Sequence, residues 1–389
     1  MRIIKDFSLN AAIAGFIAVL VGYTSSVAIV FQAAHAFNAT PAQAASWMWA
    51  LGIGMGVGCL LPSLLLRKPV MLAWSTPGAA VLAVSAGGFT MSDAVGAFMV
   101  SAVLITIAGT TGLFTRLMDR IPISIASALL AGVLGRFALN AFAGAAEEPL
   151  LVIGMLLVYL FSKLFSTRYA VPITLMFGIG VCVIGGHADL QGVNTAWVAP
   201  VWVTPTFSMG AVLSLALPLF VVTMASQNLP GVAAIRAAGY DMPISRLITF
   251  SGVLNFLLAP FGAFAINLSA ITAAICMGDG AHPDRDKRYV ASLTCGLLYI
   301  LLGIFGAAVA GLITAFPKAM VIGIAGIALL GTIGQALHVA LKDDASREPA
   351  LIAFLVTLSG VTLAGIGSAF WGVVAGALAL VIARIFHNK

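Results

Sequence analysis

Four short polar clusters interrupt an otherwise apolar chain: Tyr23-Thr24-Ser25-Ser26, Ser75-Thr76-Pro77-Gly78, Ser226-Gln227-Asn228 and Asn267-Leu268-Ser269. The second and fourth lie in stretches apolar enough for a membrane but too broken to span one cleanly, VMLAWSTPGAAVLAVSAGG (70–88) and APFGAFAINLSAITAAICMGDG (259–280). A spanning helix needs ~20 residues, and non-helical backbone at membrane depth survives only where protein or a watery cavity surrounds it. Two Gly/Pro-broken segments, one in each half of a chain, point to the binding site of a secondary transporter.

The chemistry available there is that of helix starts. A half-helix beginning inside the membrane presents unpaired N–H groups and the positive end of its dipole, about half an elementary charge. Two such ends, head to head, suit an anionic group without any cationic side chain. Thr76 is the expected cap of the first half-helix. Pro77 takes a first-turn position where its missing N–H costs nothing, and Gly78, Ala79 and Ala80 leave that end open to close approach. Asn267 is the expected cap of the second, with Leu268, Ser269 and Ala270 as its first turn. Residues 72–75 and 261–266 are expected to run as short extended strands crossing between the two half-helices. Ser226, Gln227 and Asn228 end an apolar run, and an amide in hydrocarbon is costly unless paired. They bond the broken helix, cap it or meet a ligand; alternatively, Asn228 ahead of Leu-Pro-Gly simply ends its helix. Tyr23, Ser25 and Ser26 must face protein or water, with Tyr23 suited to flank an aromatic ring. The plainer reading of these clusters is tight helix packing through small residues.

Composition supplies the elements that position the clusters. Of 389 residues, 61% are hydrophobic and 8% charged, with a mean hydropathy of +1.10, whereas soluble domains carry about 25% charged residues. The chain reads as an all-α polytopic membrane protein with no soluble domain and no cleavable signal pattern. Its basic residues sit singly between apolar runs, so the net charge of +6 marks topology and not a nucleic-acid surface. Cys59, Cys182, Cys276 and Cys295 all fall in apolar segments, as small core residues. No His/Asp/Glu set has catalytic or metal-binding spacing, so no enzyme activity and no cofactor or metal are expected.

Fourteen segments are expected, at about 9–31, 45–66, 76–87 (short), 93–115, 122–142, 147–165 and 170–186, then 209–229, 245–259, 267–278 (short), 287–315, 317–341, 348–365 and 367–387. With both termini cytoplasmic, this count places seventeen of the nineteen basic residues inside, leaving Lys318 outside and Arg136 in a span, as the positive-inside rule requires. Trp197 and Trp202, like Trp47 and Trp49, are expected in the interfacial aromatic belt. Seven plus seven segments in tandem must be inverted repeats, which makes the third segment of each half the broken one.

At these residues the chain resembles the benzoate:proton symporter (BenE) family. The likeness lies in AWSTPGAA (73–80), TMASQNLPG (223–231) and INLSAITAAICMG (266–278) followed by His282-Pro283-Asp284, and covers essentially the whole chain. It is near to an enterobacterial inner-membrane member of unassigned substrate. The resemblance implies the fold of uracil/xanthine permeases and sulfate-type anion transporters, with seven-plus-seven inverted repeats and an elevator-like mechanism. Segments 1–4 and 8–11 would form a core domain (1–117 and 206–315), and segments 5–7 and 12–14 a gate domain (118–205 and 316–389). Substrate would sit between the third and tenth segments. The implied activity is import of a small aromatic carboxylate such as benzoate with protons across a bacterial inner membrane. Nucleobase permeases of this fold hold the base with glutamates in the eighth and tenth segments; here those places offer Ser226 or Gln227 and residues 266–267. Lacking those carboxylates, the site suits an aromatic acid better than uracil, and it leaves the proton-coupling residue unassigned: the proton enters on the protonated acid, through water, or by a group not evident in the sequence. A nucleobase permease, or a small-anion exchanger or channel of the same architecture, is the alternative. A homodimer is open by analogy with the fold, and no sequence feature specifies it.

Overall fold

The protein is described here from a computed structural model, which covers residues 6–24, 26–119, 121–143, 146, 148–165, 170–186, 197–305, 316–361, 363 and 368–387. So apolar a chain must satisfy its own backbone, and the described elements are almost all helices. They are α1 (Leu9–Thr24), α2 (Val27–Ala36), α3 (Pro41–Leu66), β1 (Leu72–Trp74), α4 (Thr76–Ser85), α5 (Met91–Thr110), α6 (Leu113–Asp119), α7 (Ile123–Ala143), α8 (Pro149–Phe165) and α9 (Ala170–Ile184). The second half holds α10 (Met209–Ala237), α11 (Ile244–Leu258), β2 (Ile266–Leu268), α12 (Ile271–Met277), α13 (Tyr289–Ile304), α14 (Lys318–Leu341), α15 (Asp344–Ser359) and α16 (Ser368–His387). Among them α3, α5, α10, α11 with the 3-10 turn that extends it, and α13 with the turn before it are long and apolar enough to cross a membrane by length and composition.

Two groups of helices pack within themselves. In one, α3 lies on α13, α5 on α11, α1 on α12 and α13, and α2 on α4; in the other, α7 lies on α14 and α15, α8 on α9, and α15 on α16. Backbones touch where glycines are spaced four apart on one helix face. A Cβ on Gly52 would sit 2.6 Å from Gly303 Cα, and one on Gly56 2.7 Å from the Gly296 carbonyl and 2.4 Å from Ile300 Cγ1, so the backbones of α3 and α13 approach closely at these glycines. The extended stretch 198–206 straps this first group. Val198 donates to Ile304 O at 2.9 Å, Val203 to Pro260 O at 2.8 Å and Thr206 to Ser92 O at 3.0 Å.

Several expectations need correction. The first segment is not one helix: α1 and α2 part near Ser26 (φ −145°, ψ 0°), whose hydroxyl donates to Gly22 O at 3.0 Å and so competes with the helical ladder. Asn228 does not end its helix. Residues Met224–Asn228 form a π-turn, and α10 runs on through Pro230 to Ala237; the widened turn absorbs the missing proline N–H. The second strand lies at Ile266–Leu268, not 261–266, because Ala259–Phe261 forms a 3-10 turn closed by Gly262 at φ +106°. The second half-helix therefore starts at Ile271, not Asn267. Trp47 does not present its ring to the surroundings: it is 1% exposed and packs 5.4 Å from Phe98 and 5.9 Å from Phe264 between ring centroids. Trp197 and Trp202 are exposed, and all four cysteines are buried and free.

Candidate functional site at the strand crossing

β1 and β2 pair antiparallel, with Leu72 opposite Leu268, Ala73 opposite Asn267 and Trp74 opposite Ile266. Flanking bonds fix the phase: Ser269 donates to Met71 O at 3.1 Å and Ser75 to Ala265 O at 2.9 Å. Ala73 and Asn267 are thus a hydrogen-bonded pair, while the N–H and C=O groups of Leu72, Trp74, Ile266 and Leu268 point outward. A two-stranded sheet buried among apolar helices has two bare edges, and each unpaired group there costs free energy.

Side chains close both edges. Along β1, Val70 N–H donates to Ser63 Oγ at 3.0 Å, Leu72 N–H to Cys59 Sγ at 3.2 Å and Trp74 N–H to Met55 Sδ at 3.2 Å. Ser63 also donates to Val70 O. The match is geometric: four residues of helix rise about 6 Å and two residues of strand slightly more than that. A stripe at 55, 59 and 63 on α3 therefore keeps step with residues 74, 72 and 70. Along β2, Asn255 of α11 takes both groups of Ile266, accepting its N–H at 2.7 Å and donating to its carbonyl at 2.9 Å. Asn228 accepts the Leu268 N–H at 3.0 Å.

The helix starts differ from expectation. Ser75, not Thr76, caps α4: its Oγ accepts the Gly78 N–H at 3.0 Å and the Thr223 hydroxyl bonds it at 3.2 Å. Thr76 opens the first turn with Pro77 beside it, and both are half-buried. Gly78 is closely approached: a Cβ there would lie 2.8 Å from Leu219 Cδ1 and 2.9 Å from Ser75 Cβ. With Pro77 lacking an N–H and the Gly78 N–H already engaged, this end offers an anion few donors. At the other crossing, Ser269 Oγ accepts from Thr272 at 2.8 Å, and α12 is seven residues long without a side-chain cap. Ser75→Ala is expected to cost ~1 kcal/mol, as for other lost caps, read as a lowered unfolding temperature in detergent.

The remaining expected residues fall around the same crossing. Tyr23 is buried, its ring 5.3 Å from that of Trp74, and Trp74 Nε1 donates to Ser26 Oγ at 2.8 Å. Ser25 lies outside the described residues. Ser226 and Gln227 are half-buried in the π-turn, Ala79 and Leu268 are packed in the core, and Asn228 is committed to β2. Asn267 is fully buried, and neither its Nδ2 nor its Oδ1 has a partner among the described residues. Residues that sequence reasoning missed are Met55, Cys59, Ser63, Trp74, Ser75, Thr223 and Asn255. The amide of Asn255 in an apolar span carried the same signal as Asn228, whereas the α3 stripe gains meaning only once β1 lies beside it.

A cavity of about 620 Å³ lies between the two helix groups, with Asn10, Tyr159, Lys163, Ala274, Arg285 and Arg288 in its wall. Arg288 is 7% exposed; it pairs with Asp279 and donates to the carbonyls of Met277 and His282, which closes the C-terminus of α12. Arg285 stacks 4.3 Å from the Tyr240 ring centroid and Lys163 lies 5.7 Å from that of Tyr159. Burial raises the Tyr240 phenol above its usual range, so it stays protonated and donates to Arg285 O at 2.9 Å. Three cations against Asp279 alone in the wall give the cavity a potential that favours anions. Among the described residues no cluster of His, Cys, Asp or Glu could hold a metal.

Residues 5–382 match the family model described as "Benzoate membrane transport protein". The chain is 48% identical to inner membrane protein YdcO of Escherichia coli over 97% of this chain and 96% of that protein. It is 38% identical to the benzoate membrane transport protein of Acinetobacter baylyi, over 97% and 96% respectively. Those relatives are named as membrane proteins, not as enzymes. Among solved structures, the murine solute carrier 26 member A9 anion transporter superposes with a TM-score of 0.51 at 12% identity, covering 99% of this chain and 69% of that one; at that identity the likeness speaks to fold alone. This chain belongs to the BenE family of benzoate membrane transport proteins.

Proposed function

We propose that this protein imports a small aromatic monocarboxylate such as benzoate, together with a proton, across the bacterial inner membrane. The observation that carries the reading is the strand crossing. Two chain breaks pair at Ala73 and Asn267, 194 positions apart in the sequence, and side chains from three helices bond the backbone around them. That arrangement costs stability to build and has its known use in sites of broken-helix carriers. The relatives' names supply the substrate class.

The packing supports an elevator-type mechanism. Residues 1–117 with 206–315 make the moving core that carries the crossing, and 118–205 with 316–389 make the gate against which it slides, except that the strap from Val198 onward is bonded to the core and moves with it. Support for seven-plus-seven inverted repeats comes from paired contacts: α3 lies on α13 as α11 lies on α5, and α8 on α9 as α15 on α16. In the orientation with both termini cytoplasmic, the cationic cavity opens to the cytoplasm. Tyr23, Ser26, Thr76, Ser226, Gln227, Asn267 and Ser269 are the candidate substrate contacts; Pro77, Gly78, Ala79, Asn228 and Leu268 shape the crossing. The positive wall of the cavity equally supports a small-anion exchanger of the same fold.

Uptake of labelled benzoate into proteoliposomes, with and without an inward proton gradient, tests the reading. Gradient-driven uptake that salicylate blocks and uracil does not is the expected result. Uptake of chloride or bicarbonate in its place, with benzoate inert, would reject the substrate.

A further inference from the structure

We infer that Asn267 binds the substrate as the neutral carboxylic acid, so that the coupled proton crosses on the substrate's own carboxyl group. The inference rests on the transport reading above and concerns how that reading obtains its proton.

Asn267 sits at the centre of the crossing, directly opposite Ala73. Direct cross-strand partners point to the same face, and Ala73 is the partly exposed member of the pair while Asn267 is 0% exposed. Among the buried side chains without a partner in the described residues, the others are hydroxyls, which can rotate their single proton; Asn267 alone holds a donor and an acceptor on separate, fixed atoms. Leaving such an amide unpaired is destabilising by more than a lost hydroxyl bond, and the neighbouring amides Asn228 and Asn255 are both engaged with β2.

The complement of an amide edge is a group that accepts from Nδ2 and donates to Oδ1. A carboxylate accepts only; it would satisfy Nδ2, confront Oδ1 with a second negative oxygen, and bring an unpaired charge into an apolar site. A neutral carboxylic acid meets both atoms at once, its carbonyl accepting from Nδ2–H and its hydroxyl donating to Oδ1. No side chain near the crossing offers the charge an anion would need. The elements packed against β2 are β1, α3, α10 and α11. Their titratable or charged side chains are Cys59, already bonded to Leu72, and Arg236 and Arg246. Arg236 is eight residues along α10 from Asn228 and Arg246 nine along α11 from Asn255, or ~12–14 Å at helical rise. α12, which follows β2, adds only the buried thiol of Cys276.

The balance closes without a protein proton carrier. A carboxylate takes one proton from water on the entry side, crosses as the uncharged acid, and returns the proton to water on the exit side; no other bond forms or breaks, and no net charge moves. The cavity wall reaches Ala274 and Ile275 of α12 and stops short of Asn267, so in this conformation the amide is closed off. The cationic wall then acts after the pairing breaks, by favouring the ionised product over the acid.

Equilibrium binding of labelled benzoate to the purified protein across a pH series, with benzamide as competitor, tests this. Benzamide is uncharged at every pH used and presents the same carbonyl acceptor and an N–H donor in place of the O–H. The expected result is an apparent benzoate Kd that rises about tenfold per pH unit, the slope for one bound proton, with a benzamide Ki that does not change with pH. Asn267→Leu is expected to lose both ligands at an unchanged unfolding temperature, with Asn267→Gln recovering part of the benzamide affinity. A pH-independent benzoate Kd with benzamide inert overturns the inference and leaves an aromatic-anion carrier. A tenfold slope with benzamide inert also overturns it, by assigning the proton to the protein. No benzoate binding at any pH rejects the substrate class and this inference with it.

Discussion

Asn255→Leu is expected to lower the unfolding free energy by about 2–6 kcal/mol, at roughly 1–3 kcal/mol for each buried backbone group left unpaired. The side chain meets Ile266 twice, accepting its N–H at 2.7 Å and donating to its carbonyl at 2.9 Å, and leucine, with the same branching at Cγ but no polar atom, replaces neither bond. Water has no easy route to them, because Asn255 and Ile266 are at most 1% exposed. Asn228→Leu removes one such bond, to the Leu268 N–H, and is expected to cost about half as much. Thermal unfolding of the two variants in the same detergent separates them, with transport lost wherever β2 leaves β1. Equal unfolding temperatures for both variants and wild type would mean that the strand edge finds other partners and that the sealing argument is wrong.

Gly262→Ala is the second large effect. Gly262 sits at φ +106°, a conformation that costs a residue with a Cβ ~1–2 kcal/mol, and its Cβ would fall 1.9 Å from Trp47 Cδ1. The indole cannot simply turn aside, since it is wedged between Phe98, Phe264 and Phe37. Overpacking of that kind adds a further ~1–3 kcal/mol, for a total near 2–5 kcal/mol. Tryptophan fluorescence is expected to shift together with the unfolding temperature. Gly87→Ala serves as the control: nothing lies within 4 Å of its Cβ position, so wild-type behaviour is expected. A Gly262 variant as stable as the control would show that the 3-10 turn shifts freely and does not hold β2 in register.

Much of this site was legible because hydrocarbon permits few solutions. Pro77-Gly78 and Pro260-Phe261-Gly262 each cost a helix backbone bonds that hydrocarbon cannot replace, so a break near each was legible from residue type, although Pro230-Gly231 passes inside α10 because a π-turn precedes it. The amides of Gln227 and Asn228 were conspicuous for the same reason. What sequence reasoning placed poorly were positions one to five residues away. Ser75 and Thr76 are equally good caps by type, and only the approach of Thr223 distinguishes them. Asn267 resembles a cap in the sequence, yet it pairs with Ala73 in mid-strand and α12 begins four residues later.

The sequence by itself determined the apolar helical class, the family and the two breaks, since all three rest on composition, local chain stiffness and short motifs. The tertiary structure decided which polar groups are engaged in holding the fold and which are left unpaired. That is a question of distance between residues up to 200 positions apart, and period and propensity carry no information about it. Asn228, Asn255 and Asn267 are the same side chain in the same apolar setting. Two lie beside the outward-facing edge of β2, where its backbone groups take up their hydrogen bonds; the third is carried by the strand itself, on its face, with both polar atoms unpaired.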